Sequence, residues 1–331
     1  RSYYANWDIF PRPSVLKNNI KAIPYYANIN SMRQDYLEFE RNYLGINTPL
    51  LKRRCELNGI DKKYDIVIAG GDQVWNVRCR DADEAYFLSF VKNAKKVAYS
   101  PSLGARNINT ESLNPKKYAK LIKQFDYLSV RENNGQKWIK ELTGIEVPII
   151  ADPTLLLTSK DWLQCIKTEE IEEKFILYYS FFYSNEYNNE ILSEVSKKYK
   201  MPIYIIDGKQ WNIHKLDKYG IRLWKKSGPV GLLSLMNSAS IVLVQSFHGI
   251  VFSALFHKTF WSLRNKVIKN VNDDRARVIL AQTGLEKRAI CYDDLLNIDL
   301  KQDVDYTEVD VKIQQMRAKA FEYIESFLDG E

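Results

Sequence analysis

The apolar positions of this chain fall into short runs, each closed by a turn and followed by a stretch of helical spacing. Tyr64-Asp65-Ile66-Val67-Ile68-Ala69 leads into Gly70-Gly71-Asp72-Gln73-Val74-Trp75-Asn76. Lys96 to Ser100 ends at Pro101-Ser102-Leu103-Gly104, Tyr127 to Arg131 runs into Glu132-Asn133-Asn134, and Val147 to Ala151 is closed by Asp152-Pro153-Thr154. Apolar runs this short, without polar alternation, predict strands buried on both faces. Asn114 to Gln124 predicts a Lys-rich amphipathic helix with Pro115 at its first position. Before these elements, Ile29 to Tyr43 has helical spacing and high charge, Ile46 to Gly59 is ambiguous, and Arg1 to Lys21 is aromatic, basic and interrupted by Pro11 and Pro13.

The period then restarts. Phe175 to Tyr179, Pro202 to Ile206 and Ile221 to Trp224 predict strands, with helices at Asn188 to Lys200 and Val230 to Asn237. Ile241-Val242-Leu243-Val244 is a further buried strand, broken by Gln245-Ser246-Phe247-His248-Gly249. Ile250, Phe252, Leu255 and Phe256 then share one broad helix face, and Thr259 to Leu263 reads as the next strand. Asp273 to Gln282 predicts a helix carrying Arg275 and Arg277, and Thr307 to Leu328 a long amphipathic one. Two successive strand–helix runs predict an α/β protein of two Rossmann-like domains facing each other across a cleft. The expected division is 1–157, 158–305 and a final helix, 306–331, packing back toward the first domain.

Composition narrows the classes. The 331 residues suffice for two domains, and 45% hydrophobic with 27% charged residues fits a globular protein. Aromatics reach 13%, which suits sugar-stacking surfaces and ordinary cores alike. A net charge of +7, from 48 Lys and Arg against 41 Asp and Glu, is compatible with anionic substrates or a membrane surface. It is not the dense basic stripe of a nucleic-acid binder. Cys55, Cys79, Cys165 and Cys291 are scattered without metal-ligand spacing, which with His214, His248 and His257 argues against structural zinc and for a reducing cytosol. No apolar run reaches membrane-spanning length and the start is no signal peptide, so a cytoplasmic protein is expected, with the inner face of the membrane open to it. Arg1 is not a natural initiator, so something is expected to precede it.

In a parallel sheet, ligands bind at the carboxyl ends of strands. The turn at Ser246 lies at such an end. Ser246 is a candidate N-cap, the amides after it form an anion site, and His248 stands beside them, either for proton transfer or as a helix-packing histidine. Arg131 falls in the same layer, as a ligand-binding cation or as the partner of Glu132 or another acid. Gly70 and Gly71 permit close backbone approach, whether by a ligand or within the turn. Asp152 reads as a turn or cap residue rather than a catalytic acid. Asp81-Ala82-Asp83 matches a metal-holding Asp-x-Asp pattern, but it precedes a predicted helix, whose first turn favours acids.

Taken in order, these segments resemble the polysaccharide pyruvyl transferase family. The resemblance is carried by Asp65 to Asn76, the serine–glycine turn Tyr99 to Gly104, Ser129-Val130-Arg131-Glu132, Ala151 to Leu157, and Gln245 to Gly249. It spans roughly residues 60 to 290 and implies a GT-B-like fold. Members transfer pyruvate from phosphoenolpyruvate to a sugar as a ketal and release phosphate. Two departures matter. The family's opening strand with its Asn-Tyr-Gly-type loop has no match, so the first strand is expected to be missing. The arginine that some members carry two positions before the histidine is here Ser246.

The resemblance makes His248 and Arg131 the expected catalytic residues, one in each domain, so that domain closure could bring both to one substrate. Ser246, Phe247, Gly249, Arg264 and Lys266 are the expected donor-binding residues, with Lys269 close by. Arg264, Lys266 and Lys269 serve equally well as solvated loop cations. Gly70, Gly71, Asp72, Gln73 and Ser102 are expected on the acceptor side. Phosphoenolpyruvate is the expected donor, a sugar, free or lipid-linked, is the expected acceptor, and no cofactor, metal or nucleic acid is required. A capsule or exopolysaccharide is the implied product. A GT-B glycosyltransferase using a nucleotide sugar and a catalytically silent sugar-binding member are the alternatives.

Overall fold

The computed structural model of the chain describes residues 26–45, 51, 53–79, 81–264 and 275–328. It contains two separate parallel sheets, and the chain divides into two compact units around them.

One unit comprises residues 48–158, 267–286 and 306–331. Its strands β1 (Ile66–Gly70), β2 (Lys95–Tyr99) and β3 (Tyr127–Leu128) lie side by side in that order. Ala69 pairs with Ala98 and Val97 with Tyr127. The expected strands at 127–131 and 147–151 are shorter than predicted. Beyond Leu128 pairing is reduced to one parallel bridge, Val130 to Ile149. Pro148 has no N–H to give, and its carbonyl accepts from Val130 N at 3.0 Å while Ile150 N returns a bond to Val130 O at 2.9 Å. The Ser129 hydroxyl bonds Ala98 O at 2.7 Å and accepts from Ser100 N at 2.9 Å, which turns the chain out of the sheet.

Trp75, from the glycine-rich turn after β1, is the centre of this core. Its ring stacks on Phe87 at 5.0 Å and its indole N–H donates to Tyr86 O at 2.9 Å. Asp83 accepts from Ala85 N at 2.8 Å as the N-cap of Glu84–Phe87, just ahead of the turn where the sequence reading placed favourable acids. The helix Thr307–Leu328 completes the unit. Tyr323 Oη donates to Ala98 O at 3.0 Å, Lys95 Nζ to Phe327 O at 3.1 Å, and Arg317 Nε to Leu155 O at 2.9 Å. The helix Arg275–Thr283 packs here too, through buried Ile279 and Leu280, although its sequence position lies inside the expected 158–305 domain.

The second unit comprises residues 1–47, 159–266 and 287–305. Six parallel strands, β4 (Ile176–Tyr179), β5 (Ile203–Ile205), β6 (Ile221–Leu223), β7 (Ile241–Val244), β8 (Phe260–Arg264) and β9 (Ala289–Cys291), run in the order β6-β5-β4-β7-β8-β9. Counted within the unit this is the 3-2-1-4-5-6 order of a Rossmann sheet, with the topological switch between β4 and β7. All four β7 side chains are buried, as the unbroken apolar run requires. β9 was not legible as a strand, because Ala289-Ile290-Cys291 is too short to show a period. The helix Tyr26–Phe39 lies in the expected 1–157 span yet packs within this unit. It buries Ile29 and Met32, and Asp35 accepts from Ser227 N at 2.6 Å, supplying the cap that the Ser227 side chain does not give to Gly228–Ser238. Among the described residues no helix is long and apolar enough to cross a membrane.

Candidate functional site

At the carboxyl end of β1 the backbone is forced to be glycine. A Cβ on Gly70 would run into the Tyr99 carbonyl of the neighbouring strand, and Gly71 takes φ +89° with its N–H bonded to Tyr99 O at 3.1 Å. The chain therefore turns tightly, leaving the Asp72 side chain exposed and Gln73 half-buried. Ser102, on the turn after β2, is fully buried. Its hydroxyl donates to Glu132 and accepts from Gly104 N at 3.0 Å, which leaves no exposed atom for a sugar and makes it a support of the turn.

Arg131 follows the bridge at Val130 and is 2% exposed. Its Nη1 bonds Asp152 Oδ2 at 2.7 Å and Gly71 O at 3.3 Å. Its Nε and Nη2 both reach Glu132 Oε1 at 3.4 Å, and Nη2 lies 3.7 Å from Asp72 Oδ1. Of the two sequence readings, the pairing with acids is the one built here. Asp152 is the cap residue the sequence suggested and an ion-pair partner as well: its Oδ1 accepts from Thr154 N at 3.0 Å and Thr154 Oγ1 at 2.7 Å, capping Pro153–Leu155. Glu132 is 1% exposed and its Oε2 has no hydrogen-bond partner among the described residues. Burial lifts its carboxyl above the ordinary value of 4.5, against the opposing pull of Arg131, the Ser102 hydroxyl and Arg275.

Arg275 is the residue that sequence reasoning passed over. It opens the helix Arg275–Thr283, and the Gln73 amide, turned with its oxygen to the guanidinium, lies 2.5 Å from Nη1 and 3.3 Å from Nη2. The glycine turn, Arg131, Glu132 and Arg275 thus form one connected polar cluster within the unit. Among the described residues no three His, Cys, Asp or Glu side chains come together as a metal-ligand set.

In the six-stranded unit, the turn after β7 lies at the topological switch. Ser246 caps the helix Phe247–Leu255, its Oγ accepting from Gly249 N at 2.9 Å. Phe247 is buried, and the half-buried His248 ring stands edge-on to it with centroids 5.3 Å apart. A Cβ on Gly249 would come within 2.8 Å of Ser246 Oγ, 2.9 Å of Val244 Cγ1 and 3.0 Å of Tyr179 Cδ1. Alanine is the better helix residue by about 1 kcal/mol, yet overpacking of this kind costs about 1–3 kcal/mol. Gly249→Ala is therefore expected to lower the melting temperature by several degrees, and an unchanged melting curve would show that the helix can shift freely off the sheet. Arg264 is exposed at the carboxyl end of β8, while Lys266 and Lys269 lie outside the described residues.

Comparison with known proteins agrees with this architecture. No curated protein matches the chain. Among solved structures, the UDP-GlcNAc 2-epimerase from Methanocaldococcus jannaschii superposes with a TM-score of 0.54 at 15% identity, covering 87% of this chain and 90% of that one. A protein assigned as a UDP-N-acetylglucosamine 2-epimerase from Listeria monocytogenes gives 0.50 at 12% identity, covering 86% and 83%. At these identities the likeness establishes the fold, which is that of the GT-B proteins. The family model for polysaccharide pyruvyl transferase matches residues 5–267, taking in the glycine turn, the Arg131 cluster and the histidine turn, and the chain belongs to that family.

Proposed function

We propose that the protein transfers pyruvate from phosphoenolpyruvate to a sugar of a cell-surface polysaccharide or its precursor, forming a ketal and releasing phosphate. The observation that carries this reading is the family match across both units, with the histidine turn at a Rossmann switch point. In the reaction C3 of the enol takes a proton, C2 becomes electrophilic, two sugar hydroxyls add there and phosphate departs. Of the two hydroxyl protons, one replaces the proton delivered to C3 and the other leaves with phosphate. His248, half-buried in the first turn of the helix Phe247–Leu255, is suited to move protons in both directions.

The donor carries a carboxylate and a phosphate, for which guanidinium forks are the matched partners. Arg131 is already bound by buried Asp152 and Glu132, so we assign it to positioning: it fixes the strand end and the glycine turn. Arg264, at the carboxyl end of β8 in the unit that carries His248, is the cation we assign to the donor, and Asp72 and Gln73 are the polar side chains offered to the acceptor. We place it at the cytoplasmic face of the membrane, a reading with which the modest positive charge is compatible.

The test is incubation with phosphoenolpyruvate and a set of glycans, following phosphate release and product mass. Glycan-dependent phosphate release, with a product heavier by one pyruvate less water, is expected. Transfer from a UDP-sugar with no turnover of phosphoenolpyruvate would replace this reading by the glycosyltransferase one.

A further inference from the structure

The loop after β4 carries two adjacent phenylalanines in water: Phe181 is 62% and Phe182 57% exposed. Tyr187, just inside the next helix, Glu186–Tyr199, is 58% exposed. Single exposed apolar residues need no explanation, but three aromatics within seven residues at one sheet end do.

The backbone beneath them is fixed. Tyr183 and Tyr178 are buried, their rings in edge contact at 5.3 Å. Ser180 N donates to Tyr183 Oη at 3.1 Å, Phe182 N to Ser180 Oγ at 3.0 Å, and Tyr178 Oη to Phe182 O at 3.4 Å. Buried Asn189 anchors the far side through Tyr183 O at 2.9 Å. The two phenyl rings are thus presented by a scaffold already ordered, which reduces the entropy a ligand must overcome.

The place is the topological switch itself, where Rossmann sheets take their ligands. Ser180 Oγ hydrogen-bonds the Gln245 side chain, and Gln245 N bonds Tyr179 O at 3.1 Å, so this loop and the His248 turn are tied together within the unit. The charge of the segment selects the ligand. From Phe181 to Ser196 there is no Lys or Arg, and Glu186, Glu190 and Glu194 are the only charges. An acidic surface repels phosphates and anionic lipid headgroups. Flat apolar rings flanked by exposed Ser184, Asn185 and Glu186 match a neutral sugar, which has an apolar C–H face and a rim of hydroxyls.

We propose that Phe181, Phe182 and the polar residues that follow them form a carbohydrate subsite that holds an uncharged sugar ring of the acceptor glycan. Naming the ligand as acceptor rests on the reading of the chain as a glycan-modifying transferase; the sugar-binding surface itself is tested apart from it. Neutral tetrasaccharides of glucose, galactose, mannose and N-acetylhexosamines are titrated, without phosphoenolpyruvate, into the wild type and the Phe181→Ala/Phe182→Ala variant, with saturation-transfer NMR as the readout. At least one glycan is expected to bind the wild type saturably and the double variant about tenfold or more weakly, with the melting temperature unchanged because both rings are exposed. Phe181→Trp keeps the ring and should bind with a change in emission. The proposal is overturned if no neutral glycan binds the wild type or if both proteins bind alike. Ring-dependent binding of UDP or of phosphatidylglycerol vesicles in place of glycan would overturn it as well. A protein that binds glycan but releases no phosphate from phosphoenolpyruvate would retain the subsite and lose the pyruvyl transfer reading.

Discussion

Arg131→Ala is expected to lower the stability of the protein by about 3–5 kcal/mol, the usual cost of removing one partner from a buried ion pair. Asp152 and Glu132 are 2% and 1% exposed, and both bond the same guanidinium. Without it, two carboxylates remain buried with their nearest cation gone. A loss of this size corresponds to a drop of about 10 °C in melting temperature. Arg131→Lys should recover only part of it, because one ammonium cannot reach Asp152, Glu132 and the Gly71 carbonyl together. The defect should depend on pH with a definite sign. Burial already holds Glu132 above its ordinary 4.5, and removing Arg131 deletes the strongest opposing influence. A raised carboxyl favours folding at low pH and loses that contribution as pH rises through the folded value. The variant's deficit should therefore shrink as pH falls from 7 toward 4.5. Melting curves across that range check it, and a deficit that grows on acidification would mean that Glu132 stays ionised in the variant.

The residues alone left Arg131 open between a ligand-binding cation and the partner of an acid, and only the fold decides for the acids. The unbroken apolar run at β7 and the Ser246 cap are local patterns, and each is found where its spacing places it. Arg131 could be placed at a strand end from the same kind of pattern. Its neighbour Glu132 could be named as a partner, but Asp152 and Gly71 could not, because they reach it only through the fold. Arg275 was unreadable for the same reason: nothing near it in sequence announces that its helix returns to the glycine turn. The shortened strands after Leu128 show a local rule overruled by one missing N–H at Pro148 and one serine hydroxyl.

His248→Ala is expected to reduce turnover about a hundredfold or more, the contribution typical of a positioned proton-transfer group, while the fold survives. The ring is half-buried and stands edge-on to Phe247, a contact of a kind worth about 0.5–1.5 kcal/mol. The helix that carries it is held without it, by the Ser246 cap and by the close seat of Gly249 on Val244 and Tyr179. Phosphate release measured beside thermal stability separates the possibilities. Near-normal turnover in a folded His248→Ala protein would take the histidine out of the reaction and direct attention to Arg264. A large fall in melting temperature would instead make it a packing residue.

The contact of Lys95 with Phe327, and of Tyr323 with Ala98, has a consequence for how the protein is made. A ribosome releases the three strands of the first sheet long before it releases the helix that covers them. Until Thr307–Leu328 emerges, Tyr127 lacks its Phe327 neighbour and the Leu155 carbonyl lacks Arg317. The unit whose sheet is made first is therefore completed last, and its strands must remain an open, sticky intermediate while the six-stranded sheet is synthesised. Nascent chains arrested before residue 307 should be the ones that engage holding chaperones.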